Sequence, residues 1–228
     1  MTQFESLKDD PRNKKLFAFH ATLFRKTLVA VLRRAFGLAM KMEIHGLEHL
    51  PIGGPVVIAC NHVTNFDVFP MQFSLPRPIF FMAKAELFKF PLNVALRNLG
   101  AFPVYRGEKD AWAMRHASKV LEQGQVLGMF PEGTRNKGSG LRIAKTGTAR
   151  MALDADCPLV PMVLTGTDEF FKHFLRRASV TVSLLPPLLP LPGETPLSLT
   201  DRLMFSMAAA LPEDMRGVYA KIPKGFGI

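Results

Sequence analysis

A short, uninterrupted apolar run constrains the fold of this chain more than any other feature. Residues 55–60 read Pro-Val-Val-Ile-Ala-Cys, a run rich in β-branched side chains and free of polar ones. Such a run is typical of a strand covered on both faces, as in parallel sheets. It predicts a central strand of an α/β domain.

Further apolar runs alternate with amphipathic stretches over the rest of the chain. We predict further strands over residues 79–82, 102–105, 126–130, 159–164 and 180–185. We predict helices over residues 110–123, over 147–154 and from near 200 to 211. The proline-rich residues 186–193 fit neither central strand nor helix, and they predict a linker. The alternation predicts an α/β fold with a mainly parallel or mixed sheet flanked by helices.

The positive charge is concentrated near the N-terminus. The chain has 29 Lys and Arg against 19 Asp and Glu, a formal net charge of +10, and residues 11–42 hold eight basic residues and no acidic one. In a helical projection most of these cations lie opposite an apolar face made of Phe17, Phe24, Leu28, Val31, Ala35 and Leu38. A basic amphipathic helix of this kind is typical of a segment that lies in an anionic membrane surface.

We therefore expect residues 1–45 to form a basic amphipathic helical membrane-association segment, as one helix or two, and residues 46–228 to form the α/β domain. An ordinary surface helix packed on the domain remains the alternative. No charge-free apolar run approaches the roughly 18 residues needed to span a bilayer.

Only two cysteines, Cys60 and Cys157, are present, which excludes a disulfide framework and favours a reducing compartment. The scattered histidines predict no metal site.

The segment that follows the central strand carries the first candidate site. His62 and Asp67 lie where ligand sites form in open α/β sheets, beyond the carboxyl end of a strand. A carboxylate five residues on can accept the Nδ1–H of the imidazole, which leaves Nε2 free to take a proton from a hydroxyl. The pair is two-thirds of a Ser-His-Asp triad, with a substrate alcohol as nucleophile. Taken alone it also fits a structural histidine.

Two more clusters follow predicted strands. Residues 130–135 read Phe-Pro-Glu-Gly-Thr-Arg, a turn whose backbone N–H groups around Gly133 can hold an oxyanion or a phosphate beside the cation of Arg135. Lys84 and Arg106 lie at or just beyond two other strand ends, and both side chains suit a phosphate. Each of these residues alone also fits a solvated surface position.

In their order along the chain, these motifs resemble the glycerolipid acyltransferase family, and most of all its bacterial 1-acylglycerol-3-phosphate acyltransferases. The resemblance covers residues 61–163. Its blocks are His62-x4-Asp67, Lys84, Gly100-x-Phe-x-Val-x-Arg106, Phe130–Arg135 and Val160-Pro-Met-Val163. Members often carry Ser at the position of Thr64, an aromatic residue at Asn65 and an aliphatic residue at Pro103. These departures leave the chemistry intact and bear on substrate preference.

The resemblance implies an acyl transfer. A fatty acyl group would move from an acyl thioester, either acyl-CoA or an acyl-carrier protein, to the free hydroxyl of lysophosphatidic acid, giving phosphatidic acid. His62 would be the general base, Asp67 would orient it, and backbone N–H groups around Gly133 would hold the oxyanion. The resemblance implies that three cations bind the acceptor's phosphate, namely Arg106, Lys84 and Arg135. It assigns substrate binding or orientation to Glu132, Thr134 and Asn61.

The implied partners are an anionic phospholipid surface, the lysophospholipid acceptor and the acyl donor, with no cofactor besides that donor. We expect a peripheral protein on the cytoplasmic face of a membrane.

Three alternatives stay open: another lysolipid acceptor, a lipid or thioester hydrolase, and a nucleic-acid-binding module. A hydrolase would normally carry a Gly-x-Ser-x-Gly elbow, and none is present. The basic residues are interleaved with Leu and Phe, without any zinc-finger or RNP1 pattern, so we expect no nucleic acid. Residues 139–146 end like a P-loop but lack its glycines.

Overall fold

The computed structural model describes residues 10–14, 17, 19, 22–105, 110–171, 177–221 and 223. Within them a single sheet is flanked by helices. The strands are β1 (Met40–His45), β2 (Val56–Cys60), β3 (Ile79–Lys84), β4 (Ala101–Val104), β5 (Val126–Met129), β6 (Leu159–Thr165) and β7 (Ala178–Leu184). The α-helices are α1 (Leu23–Ala39), α2 (Val68–Ser74), α3 (Leu92–Asn98), α4 (Ala111–Glu122), α5 (Gly147–Asp154) and α6 (Pro196–Ala210).

The sheet is mixed and mainly parallel, with strand order β1-β7-β6-β2-β5-β3-β4. Neighbouring strands run parallel except β6 and β7, which pair antiparallel. The α/β fold with a mixed sheet and flanking helices, expected from the sequence, is therefore confirmed. Because β2 to β6 are mutually parallel, their carboxyl ends lie together at one edge of the sheet, named here the carboxyl edge.

The central strand β2 is covered on both faces, as its apolar run predicts. Val57 and Ala59 belong to the core beneath α4, α5 and α6, whereas Ile58 and Cys60 belong to the core on the side of α2. All five β2 residues have no exposed surface. Burial raises the pKa of the Cys60 thiol well above its usual value, as expected of a cysteine that fills a core.

The first 45 residues include part of the sheet. β1 pairs in parallel with β7 along its whole length. A boundary after residue 45 would therefore separate this edge strand from the sheet to which it belongs. α1 packs on α2, where the ring of Phe36 stacks on Phe69 at a centroid distance of 4.7 Å. No helix in the described part of the chain combines the length and hydropathy that a membrane span requires.

One row of α1 faces away from the protein. Leu23, Phe24, Val31 and Leu38 are 81%, 64%, 59% and 72% exposed. We name these four side chains the outer row of α1. The apolar face expected from the sequence is therefore turned outward in this structure, at Phe24, Val31 and Leu38.

The opposite face of α1 is held to the sheet by a buried arginine. Arg25 is 3% exposed, and its guanidinium donates to the carbonyl oxygens of Ile79 and, at 3.1 Å, of Leu99. The group also lies 3.9 Å from the ring centroid of Phe80. Burial lowers the pKa of Arg25 to about 10. Gly100 makes this contact possible, because a Cβ atom there would overlap the guanidinium.

A second arginine ties the N-terminal residues to the start of α4. Arg12 forms 2.6 Å ion pairs with both Asp10 and Asp110. Asp110 also caps α4 through the N–H of Ala113 and accepts the N–H of Tyr105 at 2.8 Å. The chain around Tyr105, at the carboxyl edge, is thus fixed from both sides.

Candidate active site

The imidazole of His62 is bonded to the carboxylate of Asp67 at the carboxyl edge. His62 Nδ1 lies 2.7 Å from Asp67 Oδ2, the contact that the spacing in the sequence predicts. The His62 ring stacks on Phe130, with centroids 4.0 Å apart and planes at 17°. His62 is 8% exposed and Asp67 is fully buried. The ring is therefore held in a fixed orientation by a carboxylate at one nitrogen and an aromatic face beneath it.

The surroundings of Asp67 fix the tautomer of His62. Asp67 Oδ2 also accepts the backbone N–H groups of Val63 and Thr64 at 2.7 and 2.8 Å, and Oδ1 accepts the Thr64 hydroxyl at 3.1 Å. Asp67 therefore acts as an acceptor at both oxygens, as a carboxylate does. His62 Nδ1 must then carry the hydrogen, and Nε2 has the lone pair that a base requires.

Glu132 connects the two motifs through the backbone. Its Oε1 accepts the N–H of His62 at 2.7 Å, and its Oε2 accepts the N–H of Arg142 at 3.0 Å. The amide of Asn136 lies within 3.4 Å of both oxygens. Burial raises the pKa of Glu132, and these hydrogen bonds oppose that rise. Glu132 is 3% exposed and holds the His62 backbone, and its expected role in binding substrate stays a prediction.

The side chain of Asn61 is bonded to the backbone of β6. Its amide donates to the carbonyl oxygen of Leu164 at 2.9 Å and accepts the Leu164 N–H at 2.7 Å. The residue has no exposed surface. Both ends of the Asn61 amide thus connect the end of β2 to β6, and its expected role in binding substrate stays a prediction.

The N–H of Gly133 is already engaged. It donates to the carbonyl oxygen of Phe130 at 2.9 Å, in a turn where Gly133 has a φ of 66°. The Gly133 N–H is therefore occupied in this turn, and an oxyanion role for the N–H groups around Gly133 stays a prediction. The space above the glycine is taken by Lys145, whose Cδ and Cε would lie 3.2 Å from a Cβ atom at Gly133 and whose Nζ would lie 3.5 Å away.

Lys145 is the site residue that the sequence motifs did not identify. It precedes α5 and its backbone N–H donates to the carbonyl oxygen of Pro131 at 2.8 Å. That bond places it beside the turn of Gly133. In the sequence it stands only within the P-loop-like stretch, ten or more residues from the nearest motif of the resemblance. The signal available in the sequence was its place two residues before a predicted helix, in a stretch without acidic residues.

A cavity of about 240 Å³ opens beside His62 and Lys145. Its walls come from the ends of β3, β4 and β5 and from the start of α5. Apart from His62, Lys145 and Thr148, they are formed largely by apolar groups, including Met82, Val104, Met129 and Phe130. We name this space the histidine cavity. His62 and Lys145 thus border the same, largely apolar space.

Two of the three cations expected to bind the phosphate, Lys84 and Arg135, lie within the described residues. Lys84 ends β3 at the carboxyl edge with a half-exposed side chain, 3.9 Å from Glu86. Arg135 is half-buried and Thr134 is exposed, both just beyond Gly133. Arg106 lies outside the described residues, directly after Tyr105, which lines the histidine cavity.

The chain matches a known family model. The model is described as "Acyltransferase" and matches residues 41–165, which cover β1 through β6 and thus every candidate residue placed above.

Curated relatives carry one recurring name. A "1-acyl-sn-glycerol-3-phosphate acyltransferase" of Borreliella burgdorferi is 32% identical over 63% of this chain and 59% of its own length. The human "1-acyl-sn-glycerol-3-phosphate acyltransferase alpha" is 31% identical over 82% of this chain and 71% of its own length. A Bacillus subtilis protein of the first name is 33% identical over 64% of this chain and 73% of its own length.

A solved structure shares the fold. The crystal structure of the 1-acyl-sn-glycerophosphate acyltransferase PlsC of Thermotoga maritima aligns with a TM-score of 0.62 at 21% identity. The alignment covers 90% of this chain and 86% of that one.

Proposed function

The chain belongs to the acyltransferase family, as its motifs predict, and we propose that it acylates the free hydroxyl of 1-acylglycerol 3-phosphate with a fatty acyl thioester. The relatives' names support this acceptor. The observation that carries the proposal is the 2.7 Å contact between His62 and Asp67 beside the histidine cavity. The contact supplies a base, and the cavity supplies room for an acyl chain.

In this mechanism His62 is the general base. Nε2 takes the proton of the glycerol hydroxyl as its oxygen forms a bond to the thioester carbonyl carbon. Asp67 holds the tautomer and stabilises the imidazolium that forms. When the tetrahedral intermediate collapses, the C–S bond breaks and His62 returns the proton to the leaving sulfur. The substrate supplies the nucleophile, so no acyl-enzyme is formed.

Lys145 is our candidate for stabilising the oxyanion. Its side chain lies across Gly133 and lines the histidine cavity together with His62. An ammonium group at this place is suited to stabilise the negative charge that develops on the carbonyl oxygen. Gly133 contributes by having no side chain, which lets Lys145 lie close to the turn.

The acceptor's phosphate is assigned to cations around the carboxyl edge. Lys84 lies at the end of β3, and Arg135 lies two residues beyond Gly133. Arg106 follows β4, and the resemblance assigns it the main contact. We expect Arg106→Ala to raise the acceptor's KM more than it lowers kcat, because a phosphate remote from the reacting hydroxyl is bound alike before and during the reaction.

The lipid nature of the acceptor agrees with the surface of α1. Its outer row is apolar, and Lys26, Arg33 and Arg34 on the same helix are exposed. We propose that this helix binds the protein to the cytoplasmic face of an anionic membrane, where acceptor and product reside.

The decisive test replaces the base. We expect His62→Ala to lower kcat about a thousandfold while the protein stays folded, measured by transfer of a labelled acyl group from acyl-CoA to lysophosphatidate. His45→Ala, at an exposed position of β1, is the control and should keep wild-type turnover. Undiminished turnover by His62→Ala would refute the assignment.

The same assay separates the acceptors and a hydrolase. Different lysolipids are offered with one labelled thioester, and free fatty acid is measured with and without acceptor. We expect labelled phosphatidate from lysophosphatidate and little free acid. Acceptor-independent release of the acid would instead indicate hydrolysis.

A further inference from the structure

The segment after Gly133 carries more positive charge than the mechanism uses. Between Gly133 and Leu153 there are five basic residues and no acidic one. The mechanism above gives a task to Arg135 and Lys145. Arg142 and the hydroxyl groups of Thr134 and Ser139 remain without one.

These side chains line a second space next to the first. A cleft of about 490 Å³ is bordered by Thr134, Ser139, Arg142, Ile143, Lys145 and Val218, among others. We name it the outer cleft. Lys145 borders both the outer cleft and the histidine cavity, so that the two spaces meet at this side chain.

The floor of the outer cleft is built from backbone held in place. Leu141 donates its N–H to Met215 at 2.9 Å and accepts the N–H of Val218 at 3.1 Å. The N–H of Ala144 donates to the Tyr219 hydroxyl at 3.1 Å. Gly217 packs so closely on Leu141 that a Cβ atom there would overlap the Leu141 carbonyl oxygen. These contacts hold the backbone on this side of the cleft in place.

One carboxylate connects the cleft to the catalytic base. Glu132 accepts the backbone N–H of Arg142 through Oε2 and that of His62 through Oε1. Among the described residues that line the cleft, Glu132 is the only acidic one. Both its carboxylate oxygens already accept hydrogen bonds. The position of Arg142 is thus fixed relative to His62.

The chemistry of the two spaces matches the two halves of an acyl thioester. The acyl chain lies on one side of the reacting carbonyl, and a phosphorylated arm with amide and hydroxyl groups lies on the other. The histidine cavity is largely apolar, whereas the outer cleft offers cations and hydroxyl groups beside two apolar side chains, Ile143 and Val218, which are 77% and 61% exposed. Lys145 lies between the two spaces, at the place where a donor that occupied both would have its thioester carbonyl.

We propose that the outer cleft binds the phosphopantetheine arm of the acyl donor, with Arg142 on its phosphate. This rests on the proposed function, since it names the place of that reaction's donor. The arm is common to coenzyme A and to acyl-carrier proteins, so the cleft serves either donor. Arg142 matches the arm's phosphate because its guanidinium donates two hydrogen bonds at once.

The direct test measures binding without turnover. The probes are S-hexadecyl-coenzyme A and S-hexadecyl-phosphopantetheine, thioethers that cannot transfer an acyl group, titrated calorimetrically into the full chain in detergent. We expect Arg142→Glu to weaken both about tenfold or more, since it replaces a charged hydrogen-bond donor by a repelling carboxylate. Arg150→Glu, an exposed arginine of α5 outside the cleft, should bind both probes as the wild type does.

Each other result of the titration overturns the proposal. Equal binding by Arg142→Glu and Arg150→Glu would show that the cleft is not used. Loss of the coenzyme A probe alone would assign Arg142 to the nucleotide rather than to the arm. Because neither measurement needs an acceptor, the outcome is independent of whether lysophosphatidate is the substrate.

Kinetics then separate donor from acceptor. Val218→Trp, which fills the cleft from an exposed position, and Arg142→Glu should raise the KM for acyl-CoA and for acyl-carrier protein while leaving the acceptor's KM within about twofold. A rise in the acceptor's KM instead would place the lysolipid head group in the cleft and refute the proposal. Absence of transfer by the wild type with any lysolipid would refute the proposed function alone.

Discussion

At the scale of single residues, the sequence predicts side chains that meet locally and misses contacts made across the fold. The contact between His62 and Asp67 follows from a spacing of five residues. The contacts of Asn61 and Glu132 could not be predicted, because their partners lie 103 and 70 residues away in the chain. Lys145 was missed for the same reason. The fold identifies Lys145 by bringing the turn of Gly133 and the start of α5 together in space.

Glu132 offers a test of the contacts that hold the site. Glu132→Gln keeps one accepting oxygen, and its amide NH2 then faces one of the two N–H groups that the carboxylate now accepts. We expect a loss of about 1–3 kcal/mol in the free energy of unfolding, measured by chemical denaturation. Glu122→Gln, at the exposed end of α4, is the matched control, and an equal effect of both changes would contradict the assignment.

At the scale of elements, the sequence predicts those helices and strands that have a clear hydrophobic pattern. The helix expected over residues 147–154 is α5 as observed, and the six predicted strands all occur within two residues of their expected limits. α2 and α3 were missed because each has only seven residues, too few to establish a helical period. β1 was missed because its sequence, Met-Lys-Met-Glu-Ile-His, lies in a segment that was expected to be helical.

The exposed row of α1 predicts how the protein binds vesicles. We expect Leu38→Asp to weaken binding to anionic phospholipid vesicles about tenfold or more, since an apolar side chain of this size contributes roughly 2 kcal/mol when it leaves water. Co-sedimentation measures this. Leu197→Asp, on α6 at the opposite face of the sheet and 61% exposed, should bind like the wild type. Equal losses in the two variants would contradict a membrane-binding role of α1.

The attachment of α1 to the sheet depends on the missing side chain of Gly100. We expect Gly100→Ala to destabilise the fold by about 3 kcal/mol, because the new methyl group displaces the buried Arg25 and the φ of 89° is unfavourable for alanine. Gly37→Ala is the control within α1, where a Cβ atom meets nothing within 4 Å. There helix propensity predicts a gain of up to about 1 kcal/mol. Thermal unfolding of both variants decides, and similar melting temperatures would contradict the argument.

At the scale of the whole molecule, a buried histidine makes stability depend on pH. His116 is 5% exposed and lies among Phe19, Phe102 and Trp112, with ring centroids 4.5, 4.6 and 5.0 Å away. Its Nε2 has no hydrogen-bond partner among the described residues. Burial, and secondarily Lys119, lowers the pKa of His116 from 6.5 to about 4. Protonation is therefore favoured in the unfolded chain.

The resulting prediction concerns unfolding at different pH values. The folded state excludes a proton that the unfolded chain binds, so the contribution of His116 is complete above pH 6.5 and is lost as pH falls from there to about 4. The loss amounts to roughly 3 kcal/mol. We expect His116→Phe to lose distinctly less stability than the wild type over that range, as measured by denaturant unfolding. Identical pH profiles would show that His116 is not responsible.

The course of α1 across the sheet has a consequence for how the reactants arrive. The helix begins where Arg25 meets the first residues of β3, at the amino ends of the parallel strands, and it ends at β1, whose first residue lies level with the far ends of β2 and β6. Its 17 residues therefore cross the sheet diagonally over about 25 Å. A bilayer that takes up this helix lies flat along that side of the protein and reaches the edge that carries the imidazole. Under the proposed function, a lysolipid would then need only a sideways step out of its leaflet, while a water-borne thioester would approach from the opposite direction.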